Sequence, residues 1–155
     1  MVRYKNRYLL LEVKFPSIED GNKALKSVTP RSLASLFKDV MAAIHGDYGL
    51  ACVLHSINVK YLNVLTRVVI LRCPRDHHKA VWAAVATITQ LEKTPCAFRL
   101  LHLAGTIRSC QRQLVNHNRT QLREMIRSAP NPMEKRKLQE KVDSILMKDS
   151  IQLRV

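Results

Sequence analysis

Hydrophobic positions in the first part of the chain follow two different spacings, which predicts a mixture of strands and helices. Residues 3–13 are rich in aromatic and branched side chains, as expected of a strand, and Phe15-Pro16 with the polar residues through Gly21 predict a loop after it. Thr29 and Pro30 predict a helix start, because threonine suits the N-cap and proline suits the first helical position. The apolar residues of this helix recur every three or four positions: Leu33, Leu36, Phe37, Val40, Met41 and Ile44.

A segment with two glycines at residues 45–49 predicts the end of that helix. Apolar and polar residues then alternate from 52 to 61, which is typical of a half-exposed strand. A predicted turn at Leu62-Asn63 leads into a β-branched strand over 65–73, and Pro74 ends it. We expect the two strands to form a hairpin.

The rest of the chain predicts one more strand and three helices. Residues 76–91 repeat apolar positions at three and four and predict a helix, and residues 96–104 predict a strand that closes at Gly105. A helix follows over 107–127. Asn131-Pro132 then opens a charged helix that extends to residue 148.

The order of these elements predicts an α+β fold. The succession β-α-β-β-α-β is that of a ferredoxin-like sandwich, and the RRM module has a related topology. Two additional C-terminal helices follow it. We expect one α/β domain over residues 1–128, which includes the helix at 107–127, and a charged helical extension over residues 129–155.

The helix predicted over 107–127 has two contrasting faces. Five arginines fall within about 100° of each other on its helical wheel. They are Arg108, Arg112, Arg119, Arg123 and Arg127. The opposite arc holds Ile107, Cys110, Leu114, Val115, Leu122 and Met125. One face is therefore suited to packing, and the other is suited to a negatively charged partner.

Composition extends this charge pattern to the whole domain. The 155 residues include 26 Lys and Arg against 12 Asp and Glu, which gives a formal net charge of +14. Between residues 21 and 123 the acids are Asp39, Asp47, Asp76 and Glu92. The body of the domain is thus basic in itself, which favours a polyanionic partner such as nucleic acid.

Cysteine usage and hydropathy indicate the cellular compartment of the protein. The four cysteines are widely spaced and the N-terminus lacks the pattern of a secretory leader, so we expect a reducing compartment. No apolar run approaches the roughly 20 residues of a membrane helix. We therefore expect a protein of the nucleus or cytoplasm that has no membrane partner.

Catalytic chemistry is poorly represented. A metal-dependent nuclease needs several carboxylates that converge on its ions, and the few acids of the domain are scattered. His77 and His78 follow Cys73, but no Cys-x-x-Cys spacing supports a zinc site. Phosphate-binding glycine loops are also absent from the sequence. We predict no catalytic residue, no metal ligand and no cofactor bound by the protein.

Basic residues, in contrast, form three groups that could contact RNA phosphates. The predicted groups are Arg3, Lys5 and Arg7 on the first strand; Lys60, Arg67, Arg72 and Arg75 around the hairpin; and Arg108, Arg112, Arg119 and Arg123 on the helix. Aromatic residues are few, and the strand LTRVVILRC lacks the aromatic signature that RRM modules use to stack bases. Recognition of phosphates and RNA shape is therefore favoured over base stacking.

Five motifs in order resemble one known family. They are MVRYKNRYLL at the N-terminus, HGDYG at 45–49, VKYLN at 59–63, ILRCPRD at 70–76 and GTIRSCQ at 105–111. On these motifs, residues 1–127 resemble the small α/β protein subunits of eukaryotic and archaeal ribonuclease P and ribonuclease MRP, the processing-of-precursors subunit five family. Residues 130–155 are basic and do not follow the acidic tail of the animal members.

The resemblance implies a specific role. Family members look like ferredoxin-type sandwiches that bind a catalytic RNA, pair with a barrel-fold companion subunit and support removal of the 5′ leader from precursor tRNA. The chemistry would belong to the RNA and its magnesium ions, and precursor tRNA would be a further partner. In the MRP particle the subunit would serve rRNA maturation. Such a protein would be found in the nucleus and nucleolus, or in the cytoplasm of an archaeon.

The resemblance also ranks the candidate RNA contacts. Its motifs support Arg3, Lys5, Arg7, Arg72, Arg75 and Arg108, whereas Lys60, Arg112, Arg119 and Arg123 depend on charge alone. Two alternatives remain open. A stand-alone protein nuclease would cleave precursor tRNA after all RNA is removed from the preparation, and a mainly scaffolding subunit would crosslink to proteins and not to the central RNA.

Overall fold

The computed structural model describes residues 5–128, which form six strands and four helices. In chain order the elements are β1 (Asn6–Lys14), α1 (Ile18–Ser27), α2 (Pro30–Val53), β2 (Asn58–Asn63), β3 (Val68–Pro74), α3 (His78–Ala86), β4 (Gln90–Leu91), β5 (Thr94–Pro95), β6 (Ala97–Ala104) and α4 (Ile107–Ser128). Arg3 and the helix predicted from Asn131 lie outside the described residues, as does the predicted extension over 129–155.

Four of the strands form one antiparallel sheet with the order β2-β3-β1-β6. The two strands next to each other in the middle are the first and third of the sheet in chain order. This order confirms the predicted ferredoxin-like sandwich, in which two β-α-β units interlock. The α+β class is therefore correct.

The core lies between one face of this sheet and the helices. Strand β1 contributes Leu9, Leu11 and Val13, since alternate residues of a strand point to the same face. Helix α2 contributes Phe37, whose ring meets Phe98 of β6 edge-on with a centroid distance of 5.7 Å. The start of α2 is capped as predicted: Ser32 N donates to Thr29 Oγ1, and Thr29 N donates to Ser32 Oγ.

The helix that begins at Pro30 is interrupted within the glycine-containing segment, as the sequence predicts, because Gly46 adopts the non-helical angles φ 65° and ψ −170°. A second helical segment follows this kink and extends to Val53, and α2 denotes both segments together. The predicted strand over 52–61 is consequently wrong in its first half, and β2 begins only at Asn58. The turn between β2 and β3 lies at residues 64–67 and not at Leu62-Asn63.

Two other local predictions are wrong. The polar segment after β1 forms α1, although a loop was expected there. Helix α3 ends at Ala86, before the predicted limit, and the residues beyond it form the small β4–β5 hairpin. Helix α4 agrees closely with its predicted span.

By compactness the chain divides into two units, Met1–Cys110 and Gln111–Val155. The first unit contains the sheet and the helices α1, α2 and α3, and it includes the first residues of α4.

Candidate nucleic-acid interface

One end of the sheet collects basic residues that lie far apart in the sequence. In the register of β1 and β3, Arg7 pairs with Cys73 and Tyr8 pairs with Arg72. Just beyond both strands, Arg75 N donates a hydrogen bond of 2.9 Å to Lys5 O. The antiparallel pairing therefore places the start of β1 and the end of β3, with their basic residues, at the same end of the sheet.

The same end of the sheet also receives the start of α4. Strand β6 pairs with β1 so that Ala104 lies opposite Tyr8, and Gly105 and Thr106 lead directly into the helix. Arg7 approaches this connection closely, since a Cβ atom built on Gly105 would lie 3.2 Å from Arg7 Nη1. A side chain at position 105 would require the Arg7 guanidinium to shift by a few tenths of an ångström.

Arg108 belongs to the first turn of α4 and is exposed. Thr106 Oγ1 accepts a hydrogen bond from Ser109 N at 3.3 Å and so caps the turn. This turn holds no acidic residue. Its unpaired backbone N–H groups and the positive end of the helix dipole add to the charge of Arg108. We call Lys5, Arg7, Arg72, Arg75 and Arg108 the basic end of the sheet.

Arg72 is a partly buried cation of the basic end. It lies on the sheet face opposite the core, between Tyr8 on β1 and Asn58 on β2. Its Nε is buried and has no hydrogen-bond partner among the described residues. A guanidinium that is partly shielded from water binds an anion more strongly than a fully solvated one, because the local dielectric constant is lower.

Lys60 lies apart from the basic end. It is exposed on the edge strand β2, at a bulge that shifts the register with β3 between Val59 and Tyr61. Nearby, a groove between the start of α2 and β2 is lined by Arg31, Lys38 and Asn58. Sequence reasoning did not single out Arg31 and Lys38, although their spacing of seven residues on a helix places them on one side.

The arginines of α4 are arranged as the helical wheel predicts. Arg108, Arg112, Arg119, Arg123 and Arg127 are all exposed. Cys110 and Leu114 on the opposite arc are buried, as is the polar residue Asn118. The helix therefore has one buried stripe and one cationic stripe.

Side chains suited to metal binding do not cluster in the part of the chain that the structure describes. Across residues 5–128, no three His, Cys, Asp or Glu side chains come together in a metal-binding group. His78 Nδ1 instead contacts the backbone oxygen of Arg75, and His45 Nε2 lies 3.1 Å from the backbone oxygen of Ala80. Both histidines thus stabilise the connection of α3 to its neighbours.

The cysteines of the core are also unsuited to chemistry. Burial raises the pKa of Cys73 to about 12, although the nearby Arg7 charge opposes the increase. Burial likewise raises the pKa of Cys96 to about 11 and that of Cys110 to about 12. These thiols stay protonated at neutral pH and are poor nucleophiles.

None of the helices within residues 5–128 combines the length and the apolar character needed to cross a membrane.

Similarity to known proteins identifies the class. Residues 7–115 match the model of the Rpp14/Pop5 family. The chain belongs to this family.

Curated relatives extend the similarity over most of the chain. The chain is 38% identical over 146 residues to the human ribonuclease P/MRP protein subunit POP5, a match that covers 92% of this chain and 87% of the relative. The protein of the same name from Schizosaccharomyces pombe is 32% identical over 127 residues, which covers 79% of this chain and 91% of the relative. The probable ribonuclease P/MRP protein subunit POP5 of Arabidopsis thaliana is 34% identical over 113 residues, with 72% and 75% covered.

A solved structure is similar in fold. A chain in the cryo-EM structure of yeast ribonuclease MRP superposes with a TM-score of 0.50 at 11% sequence identity, and the match covers 97% of both chains.

Proposed function

We propose that this chain is a non-catalytic, RNA-binding protein subunit of a ribonuclease P/MRP ribonucleoprotein. Membership of the Rpp14/Pop5 family and the names of its relatives support this assignment. The observation that carries the RNA-binding role is the basic end of the sheet, where cations from the start of β1, the end of β3 and the start of α4 lie at one end of the sheet. Such a cluster neutralises phosphates that a folded RNA brings close together.

The division of labour follows from the residues present. Arginine forks bind phosphate oxygens in pairs and hold a backbone in position, but they supply neither a nucleophile nor a general base. In our proposal the catalytic RNA and its magnesium ions cleave the 5′ leader of precursor tRNA, and in the MRP particle they act on rRNA. The protein stabilises the active fold of that RNA, so that less magnesium is needed to hold it.

The proposed RNA contacts are ranked by their place in the structure. Arg7, Arg72, Arg75, Arg108 and Lys5 form the basic end and are the primary candidates. Arg112, Arg119 and Arg123 would extend the contact along α4, and Lys60 would add a contact from the edge strand. Arg3 remains a candidate from its sequence motif.

The remaining partners are proposed from the family resemblance. They are a barrel-fold companion subunit, other ribonuclease P proteins and precursor tRNA itself. The proposed location is the nucleus and nucleolus, since the human and Schizosaccharomyces pombe relatives are eukaryotic proteins.

Salt dependence tests the proposal directly. If six to ten phosphate contacts form, affinity for the particle RNA should fall by about 10³ to 10⁵ between 50 and 200 mM salt. Arg72→Ala and Arg108→Ala should each weaken binding by about tenfold or more, since a charge-assisted hydrogen bond contributes about 1.5–3 kcal/mol. Lys26→Ala on α1 is the control and should leave the affinity unchanged.

Two outcomes would contradict the proposal. Binding that hardly depends on salt would show that phosphates are not the main contact. Cleavage of precursor tRNA in magnesium by the chain alone, after thorough removal of RNA, would favour the stand-alone nuclease.

A further inference from the structure

The groove between the start of α2 and the edge strand β2 carries cations of its own. Its volume is about 530 Å³, within the range of about 300–1,000 Å³ that is usual for sites that bind small organic groups. We call it the α2–β2 groove. None of the described residues that line it is acidic, and its lining includes Arg31, Ala34, Ser35, Lys38, Ile57 and Asn58.

The two cations of the α2–β2 groove lie on one side of α2. Arg31 and Lys38 are seven residues apart, which places them about 20° from each other around the helix, and Ser35 lies between them along it. Neither cation pairs with a carboxylate within residues 5–128. Asp39 follows Lys38 in sequence, but it lies about 100° further around the helix and does not line the groove. Both positive charges are therefore available to an anionic ligand.

The other wall of the groove offers hydrogen-bonding and apolar groups. Strand β2 is an edge of the sheet, with β3 as its neighbour, so the backbone N–H and C=O groups of its outer edge have no strand partner. Asn58 is exposed, and its amide has no hydrogen-bond partner among the described residues. An amide has both donors and an acceptor, as the edges of nucleobases do. Ala34 and Ile57 add apolar contacts.

Strand register connects the α2–β2 groove to the basic end of the sheet. Asn58 of the groove pairs with Arg72 of the basic end across β2 and β3. Neighbouring strands are about 4.8 Å apart, so the two surfaces are separated by a single strand spacing. An RNA chain bound at the basic end can therefore continue into the groove without leaving the protein surface. An acidic peptide could also pair with Arg31 and Lys38, but it would not account for this continuity.

From these observations we propose that the α2–β2 groove binds one unpaired nucleotide of the RNA chain that lies on the basic end. Arg31 and Lys38 contact the phosphates on either side of this nucleotide. Its base lies against Ala34 and Ile57, within reach of the Asn58 amide. The nucleotide is unpaired because a groove of this size excludes a double helix. This inference rests on the proposed RNA-binding function and extends it to residues outside the basic end and outside α4.

Binding of the particle RNA to the full chain tests the phosphate contacts. The double variant Arg31→Gln, Lys38→Gln should weaken binding by about tenfold or more, since a charge-assisted hydrogen bond contributes about 1.5–3 kcal/mol. The slope of log K against log salt concentration should become less steep by about 1.4, the value for two phosphates of a single strand. Lys23→Gln with Lys26→Gln removes the same charge from α1 and should keep both affinity and slope.

The outcomes separate this inference from the proposed function. Equal losses in the two double variants would overturn the inference, because net charge alone would then explain them. An unchanged affinity for the Arg31 and Lys38 variant would also overturn it. If Arg72→Ala and Arg108→Ala still weakened binding in that case, the proposed function would stand. If they did not, the proposed function would fail as well.

A single added charge gives a second test that leaves both cations in place. Ser35→Asp puts a carboxylate between Arg31 and Lys38 and should weaken RNA binding by about tenfold or more, because like charges would then face each other. Ala43→Asp adds the same charge at another exposed position of α2 that does not line the groove, and it should have little effect. Equal effects of the two substitutions would contradict the inference.

Photocrosslinking in the assembled particle identifies the occupant. Benzoylphenylalanine in place of Ser35 should crosslink to RNA, at a nucleotide that dimethyl sulfate probing of that RNA shows to be unpaired. The same probe in place of Ala43 should not crosslink to that nucleotide. A crosslink from position 35 to a protein or to a base-paired nucleotide, or no crosslink at all, would overturn the inference.

Discussion

Gly46 and Gly49 of α2 are glycines for different physical reasons, although they lie only three residues apart. At Gly46 the constraint is the backbone, since φ 65° with ψ −170° is a conformation that only glycine adopts readily. Space is not the constraint there, because a Cβ atom would meet nothing within 4 Å. At Gly49 the constraint is space, because a Cβ atom would lie 2.3 Å from His45 Cβ.

For Gly46→Ala we therefore expect a loss of stability, whereas helix propensity alone would predict a gain. In an ordinary helix interior, alanine is more stable than glycine by about 1 kcal/mol. At a backbone conformation restricted to glycine, the substitution should instead lower the free energy of unfolding by about 1–3 kcal/mol. Chemical denaturation measures the difference.

Ser35→Ala is the control for this prediction. Ser35 is exposed on α2 well before the bend, so alanine should leave stability unchanged or raise it slightly. An increase in stability for Gly46→Ala would mean that α2 is a regular helix through residue 46.

At the scale of elements, the sequence predicts what depends on periodicity and fails where a backbone conformation overrides it. The capped start of α2, the strand at β6 and the two-faced helix α4 all follow from local patterns. The helical segment after Gly46 does not, because the alternating apolar and polar residues from 52 onward predict a strand. Helix α1 was missed because Gly21 and its polar neighbours resemble a loop, although its N-terminal acids and its C-terminal lysine suit a helix.

The candidate site shows the same limit. The sequence indicates which residues are basic and that α4 carries a stripe of them. That Lys5, Arg75 and Arg108 meet at one end of the sheet follows only from strand register, which depends on long-range pairing.

The arginine stripe of α4 gives a prediction that belongs to the element. The double variant Arg119→Gln, Arg123→Gln removes two charges. If both arginines contact phosphates, the slope of log K against log salt concentration should become less steep by about 1.4–1.8. The helix should remain folded, because glutamine is also a good helix former and both residues are exposed.

A control with equal net charge separates local contact from the overall field. Lys23→Gln with Lys26→Gln also removes two exposed charges, but from α1, whose first turn carries Glu19 and Asp20. This variant should keep the full salt dependence. The same reduction in both variants would show that only the net charge matters and that the stripe makes no contact.

At the scale of the whole molecule, the sheet and the helices α1, α2 and α3 share one hydrophobic core. That core includes Cys73 on β3 and Cys96 before β6, and Cys110 on α4 is buried too. Burial raises the pKa of all three thiols above the ordinary value of 9.0, to about 11 or 12. The folded state therefore keeps these protons more tightly than the unfolded state does, and the stability linked to them is complete below pH 9 and lost as the pH rises toward 11–12.

Thiol labelling tests whether the buried cysteines become accessible only when the whole domain unfolds. At pH 8 a disulfide reagent should react first with Cys52, which is only partly buried. The other three thiols should react together at the rate of global unfolding, because each is buried and protonated in the folded state. A Cys52→Ser variant should lose the fast phase and keep the slow one. If Cys110 reacted well before Cys73 and Cys96, the start of α4 would open independently of the sheet.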